Sequence, residues 1–263
     1  MPFVVFLVSF LSSTAGAICG IGGGVIIKPV LDSLSIVPVA TANFLSGCTV
    51  LSMTCFSVGS RLIKHESMVE FKIATPLSIG SAVGGVLGKN LFETIKNHAA
   101  QSEQVGVYQS ICLAVITLAA LMYTISRNRI STHNIKNPLL CVLTGMGLGL
   151  MSSFLGIGGG PVNLVVLYYF FSMTTKIAVQ NSLYIILVSQ SASLITSIVS
   201  GNVPSFQILW LLLMVCGGIG GGIAGRKLNN HLGDSKVQNL FVGLMIVIIC
   251  ISCYNTFRFQ ASI

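Results

Sequence analysis

The sequence predicts an all-α polytopic membrane protein of two inverted-topology repeats, each a glycine-broken, re-entrant-like hairpin plus three transmembrane helices. Three observations predict it: composition, an internal repeat and the placement of basic residues. Of 263 residues, 53% are apolar or aromatic and 8% are charged, against about 25% charged in a soluble domain. With a mean hydropathy of +0.89, a soluble chain could not clothe its surface, which excludes most soluble enzymes. The net charge of +8 would suggest nucleic acid in a soluble protein. Here the basic residues lie between apolar runs and read as topology signals, so no nucleic-acid partner is expected.

The first long apolar segment runs from about Phe3 to Leu34, interrupted at Gly20-Ile21-Gly22-Gly23-Gly24. Its start lacks the basic region of a signal peptide. Ordinary spans follow near Pro38 to Gly59, Glu70 to Leu91 and Val105 to Ile125, each about the 20 residues a bilayer needs. Polar residues Arg127 to Asn137 form the hinge. A second interrupted segment, Pro138 to Ser172, carries Gly156-Ile157-Gly158-Gly159-Gly160, and spans recur near Thr175 to Val199, Ser205 to Leu228 and Val237 to Thr256. The predicted division is residues 1–126 for the first repeat, 127–137 for a cytoplasmic inter-repeat loop, and 138–263 for the second repeat.

The duplication is visible in three blocks at an offset of about 136 to 138 residues. Cys19 to Gly24 matches Leu155 to Gly160, and Ala40 to Leu45 matches Ala178 to Leu183. Gly80, Gly84, Gly85 and Gly88-Lys89 match Gly217, Gly221, Gly222 and Gly225-Arg226. If each long segment crossed once, Lys and Arg would divide seven and seven between the two sides. If each turns back at its glycines, one side collects Arg61, Lys64, Lys72, Arg127, Arg129, Lys136, Lys176, Arg226, Lys227 and Lys236, leaving Lys28, Lys89, Lys96 and Arg258 on the other. That asymmetry is what the positive-inside rule requires, so both termini are expected outside the cell (inner) membrane. Each half then makes an odd number of crossings, which inverts the second half.

Irregular backbone at membrane depth is tolerated only where protein or a watery cavity satisfies it. The two glycine breaks therefore belong inside. Helices restarting near Val25 and Pro161 would present free N–H groups and positive dipole ends to an anion, making Gly20, Gly22, Gly23, Gly24, Gly156, Gly158, Gly159 and Gly160 candidate substrate-binding residues. Close helix packing is the alternative for these, and the better reading for the four-residue glycine spacing at Gly80 to Gly88 and Gly217 to Gly225.

The paired G-x-G-G-G motifs and the downstream G-x-x-x-G-G-x-x-G-[K/R] blocks make the whole chain similar to the TauE/SafE family, also called the 4-toluene sulfonate uptake permease family. The resemblance implies a permease that moves a small anion of the sulfite, thiosulfate, sulfonate or sulfoacetate class. A passive channel, or a carrier of carboxylates or other organic anions, is the alternative.

Single residues carry the remaining expectations. Lys28 would neutralise substrate, pair with Asp32 at i+4, or snorkel. The matched amides Asn43 and Asn181 would donate to substrate oxygens or bond the broken backbone nearby, and Gln180, Asn163 and Gln190 would line a path or tie helices. Cys19, beside the first turn, would face whatever that turn faces. The eight cysteines show no His-rich or doubled C-x-x-C spacing, so neither a metal site nor a disulfide framework is expected. Acids fall at segment ends or in loops, so no carboxylate relay is expected. No catalytic residues, cofactor or metal are expected; the partners are a small anion and the bilayer.

Overall fold

In the computed structural model, residues 2–34, 37–98, 102–127 and 130–261 are described, the side chains of 95–98 and 102–103 excepted. Arg129 and the side chains of Lys96, His98 and Glu103 thus fall outside the described residues. The first half contains α1 (Pro2–Cys19), α2 (Gly24–Leu34), α3 (Val39–Ile63), α4 (Phe71–His98) and α5 (Ser102–Ser126). The second contains α6 (Pro138–Leu155), α7 (Gly160–Phe171), α8 (Thr175–Val199), α9 (Ile208–His231) and α10 (Asp234–Ala261). Among the described residues eight helices are long and apolar enough to cross a bilayer. The exceptions, α2 with 11 residues and α7 with 12, reach only about 16–18 Å at 1.5 Å per residue.

Both interrupted segments fold as hairpins. Val5 in α1 shares an apolar cluster with Leu31 near the end of α2, so α2 returns toward the point where α1 began. Likewise the end of α7 lies under the stretch leading into α6, where His133 and Ile135 N–H donate to the Tyr169 and Phe170 carbonyls at 2.7 and 3.0 Å. At the bundle end holding the last turns of α10, Arg258 donates to the carbonyls of Asp32, at 2.9 Å, and of Ser33.

The halves do not have separate cores. The most extensive pairings are α4 with α6 and α1 with α9, which exchange when the halves are exchanged, as do α3 with α9 and α8 with α4. The repeated glycines make the first two pairings possible. A Cβ at Gly80, Gly84 or Gly88 of α4 would strike the backbone of Val142, Met146 or Leu150 in α6; Gly145 and Gly149 face Leu77 and Ser81 in return. Across the other seam, Gly217, Gly221 and Gly225 of α9 abut Phe6, Phe10 and Thr14 of α1. Backbone-to-backbone approach maximises dispersion where lipid supplies no hydrophobic contrast.

The outward faces are apolar, and the interior mixes apolar side chains with buried hydroxyls and amides. On α5, Ile111, Val115, Leu118, Met122 and Ile125 are exposed at helical spacing, whereas Gln109, Ser110, Thr117 and Thr124 are buried. Lipid takes the apolar stripe, and backbone carbonyls take the hydroxyls, as when Thr124 donates to Ala120 O at 2.7 Å. Cys250 and Cys253, one C-x-x-C step apart in α10, are free and exposed. No group of three or more potential metal ligands occurs among the described residues.

Candidate functional site

The two glycine turns are built alike because their glycines supply conformations that other residues adopt only at a cost. Gly20 and Gly156 end α1 and α6 with φ of +73° and +68°. The next amide in each closes a five-residue step back: Ile21 N–H donates to Gly16 O at 3.1 Å, and Ile157 N–H to Ser152 O at 3.2 Å. These are the six-to-one bonds of a Schellman motif. Gly22 and Gly158 repeat the left-handed conformation at +71° and +76°. Gly159 and Gly160 extend it to +104° and +34°, and Pro161 opens α7 where its missing N–H is not needed.

The restarted helices meet. A Cβ on Gly24 would lie 2.9 Å from Ile157 O, and one on Gly160 would strike the Val25 side chain. Val50 stands within 3.4 Å of where a Cβ would sit on either Gly22 or Gly158, and Ile186 of α8 also packs on Gly22. The N-terminal ends of α2 and α7 are therefore apposed across an apolar contact, and Gly23 is pressed onto Ser13 of α1.

On one side of this contact lies a cavity of about 210 Å³. Its inner end is Gly156, against which the Asn43 amide packs. Gln190, Ser152, Ser153, Ser193 and Ser197 supply further polar walls; Lys89 and Glu93 of α4 and Asn202 of the α8–α9 connection complete it. Ser193 and Ser197 share one face of α8 through their four-residue spacing, and Ser152 and Ser153 come from the end of α6. The Asn43 carboxamide oxygen is buried without a hydrogen-bond partner. Lys89 donates to Ser197.

On the other side the matched amide Asn181 and its neighbour Gln180 are occupied. The extended segment Ser67 to Glu70 crosses α8, where Met68 N–H donates to Gln180 Oε1 at 2.8 Å and Glu70 N–H to Asn181 Oδ1 at 3.0 Å. Asn181 Nδ2 donates to Ile177 O at 2.8 Å and Met68 O at 3.4 Å. The duplicated strap, residues 202–207, meets α3 beside Asn43. Thr41 donates to Ser205 O at 3.3 Å, and Phe44 stacks on Phe206 with ring centroids 5.4 Å apart. Arg226 bonds Ser60 at 2.7 Å, repeating with exchanged halves the pairing of Lys89 and Ser197. Sequence reading missed both cation–serine pairs, although the offset that aligns Gly88-Lys89 with Gly225-Arg226 also aligns Ser60 with Ser197.

Lys28 is not brought to the cavity. It is 2% exposed and its ammonium donates to Asp32 Oδ2 at 2.8 Å along the face of α2. Asp32 lies in the last turn of α2, at the segment end as expected, and is buried there at 3% exposure. Cys19 also turns away from the turn's interior, its thiol pointing 3.9 Å from Val237 O of α10. Asn163 packs beneath Gly159, its carboxamide oxygen buried without a partner. Gln190 reaches both the cavity and Gly158.

The structure thus brings Asn43, Gly156 and Gln190 together around open space, and holds Gln180 and Asn181 under a strap. Comparison with known proteins agrees with a membrane-transport fold. A family model described as "Sulfite exporter TauE/SafE" matches residues 5–251. A "Probable membrane transporter protein YunE" of Bacillus subtilis (strain 168) is 25% identical over 276 residues, covering 96% of this chain and 97% of that protein. No solved structure matches significantly.

Proposed function

Because the chain belongs to the TauE/SafE sulfite exporter family, and is therefore a multi-pass membrane transporter and not an enzyme, we propose that it is a permease for a small sulfur-containing oxyanion or organosulfonate. In this reading it sits in the cell (inner) membrane with both termini outside, as two inverted repeats, residues 1–126 and 138–263, joined by a cytoplasmic loop. The observation that carries the site is the polar cavity ending on Gly156 between Asn43 and Gln190. Its serine hydroxyls and amides offer donors to an oxyanion, and Lys89 stands on the same wall. The substrate passes between the glycine tips when the hairpins part, reaching the N-terminal ends of α2 and α7 in turn. The apolar contact of Val25, Val50 and Gly160 is the barrier between the two faces.

The straps support alternating exposure. One lies on Gln180 and Asn181 while its duplicate leaves Asn43 open to the cavity. The opposite state would release the first and seat the second, exchanging the roles of the halves.

Two measurements test this. A ligand that binds only the native state raises the melting temperature, so purified protein should be stabilised by one of sulfite, thiosulfate, sulfoacetate or taurine and not by matched carboxylates. In liposomes, the same anion should show saturable flux that Asn43→Ala and Gln190→Ala lower at least tenfold without loss of folded protein. Equal stabilisation by carboxylates, or flux that does not saturate, would sink the sulfur-anion permease.

A further inference from the structure

We infer that Arg61 is an anion-binding residue at the face opposite the open cavity, and that it holds the oxyanion of the substrate when that face is loaded. The inference rests on the permease reading above.

Arg61 lies in the last turns of α3 and is 7% exposed. Its one side-chain hydrogen bond is long, from Nη2 to Asn229 Oδ1 at 3.4 Å, and Nε is buried without a partner. Among the described residues no carboxylate oxygen comes within 4.0 Å of this guanidinium; Glu66 on the same pocket acts on it only at longer range, and the like charge of Arg226 opposes that. A buried guanidinium without a direct ion-pair partner and with one donor unbonded is costly to keep in a fold. Orientation signalling accounts for basic residues at the membrane rim, such as exposed Lys64. It does not account for burying one.

The surroundings are those of a site. Arg61, Lys176, Gln180 and Asn229, with Glu66, line a pocket of about 260 Å³. Arg61 and Gln180 also line a smaller space of about 10 Å³ deeper in the bundle, with Ser57, Ser67 and Leu183. The guanidinium therefore stands between the outer pocket and the interior, beside the strap that covers Gln180. Arg226, one helix away, is engaged by Ser60. The duplicated position of Arg61 falls near apolar Ile198 and Val199. Arg61 is thus an addition to the repeat, and it makes the two faces chemically unequal. Guanidinium presents a planar fork suited to two oxygens of one anion, and Lys176 adds a second positive charge.

The same oxyanion chemistry is offered by a free anion and by a lipid phosphate, and the test separates them. Arg61→Gln, Arg61→Lys and Lys64→Gln are compared with the wild type in neutral detergent, reading melting temperature against sulfite, sulfate and phosphate. Vesicles of phosphatidylcholine alone or with phosphatidylglycerol serve for sulfite flux. The expected result is stabilisation of the wild type by at least one small anion, weakened tenfold or more in Arg61→Gln, less in Arg61→Lys, and not at all in Lys64→Gln. Without anion, Arg61→Gln should melt no lower than the wild type, because a buried charge without a direct ion-pair partner has been removed.

Equal anion responses in wild type and Arg61→Gln, or none in either, would overturn the inference. So would an anion-free melting temperature of Arg61→Gln well below that of the wild type, which would make Arg61 structural. A response to phosphatidylglycerol alone would make it a lipid site. If wild-type vesicles pass no sulfite while small anions still stabilise the protein through Arg61, the permease reading falls and the anion site stands.

Discussion

Asn43 and Asn181 occupy matched positions in the duplication, yet the structure gives them opposite tasks, and alanine at each should show it. Asn181 accepts from Glu70 N–H at 3.0 Å and donates to Met68 O at 3.4 Å, fastening the strap. Its third bond, to Ile177 O, is local to α8. Losing the first leaves a strap amide unpaired, at about 1–3 kcal/mol, and the weaker second adds a few tenths. Asn181→Ala should therefore destabilise by about 2 kcal/mol, a factor of about 30 in the folding equilibrium. The carboxamide oxygen of Asn43 has no partner to lose. Asn43→Ala should cost less than about 1 kcal/mol, since only packing against Gly156 is removed, and should instead abolish anion-dependent stabilisation. Unfolding in mixed micelles over a range of denaturing detergent measures both. Comparable destabilisation by the two substitutions, with anion response retained in Asn43→Ala, would refute the division of roles.

The remaining expectations concern the ion pair, the helix seams and the topology. Lys28→Met and Asp32→Leu should each destabilise by about 3–5 kcal/mol by stranding the buried partner charge, while the double substitution should restore most of the loss and retain flux; a double variant that folds but passes no anion would return Lys28 to the site. Gly84→Ala should separate α4 from α6, because its Cβ falls on Met146 backbone, whereas Gly147→Ala on the same α6 meets nothing within 4 Å and should stabilise by up to about 1 kcal/mol through helix propensity. Thermal melts of the two variants compare these directly. In a cysteine-free background, thiols at Lys136 and Lys176 should be labelled from one face and a thiol at Ser205 from the other; labelling of Lys136 and Lys176 from opposite faces would contradict the hairpin topology.

Much of this arrangement was legible in the chain because membrane burial writes itself into local pattern. Spans near Thr175 to Val199 or Val105 to Ile125 emerge as α8 and α5 because a lipid-facing helix needs about 20 apolar residues and few charges, which is a local condition. The glycine breaks were legible for the same reason, since only glycine enters the left-handed turns at Gly20, Gly22, Gly156 and Gly158 without strain. Four-residue glycine spacing correctly marked the α4–α6 and α1–α9 seams. Lys28 was harder. Its spacing from Asp32 allowed a pair, but whether the ammonium met a carboxylate or a cavity depended on which face of α2 turned toward α10, where Asn255 donates to Pro29 O at 2.8 Å.

What the sequence by itself determined is therefore the number, length and character of the helices, the duplication, and the two backbone breaks, all of which depend on residues within a few turns of one another. The tertiary structure alone decided which polar groups are used up. Gln180 and Asn181 are bonded by a strap more than 110 residues away, as their partners Met68 and Glu70 show, while Asn43 and Arg61 keep unpartnered polar atoms beside open space. Near-identical matched residues diverge in this way because hydrogen bonding is a matter of which donor arrives within about 3 Å, and that is fixed by the packing of distant helices.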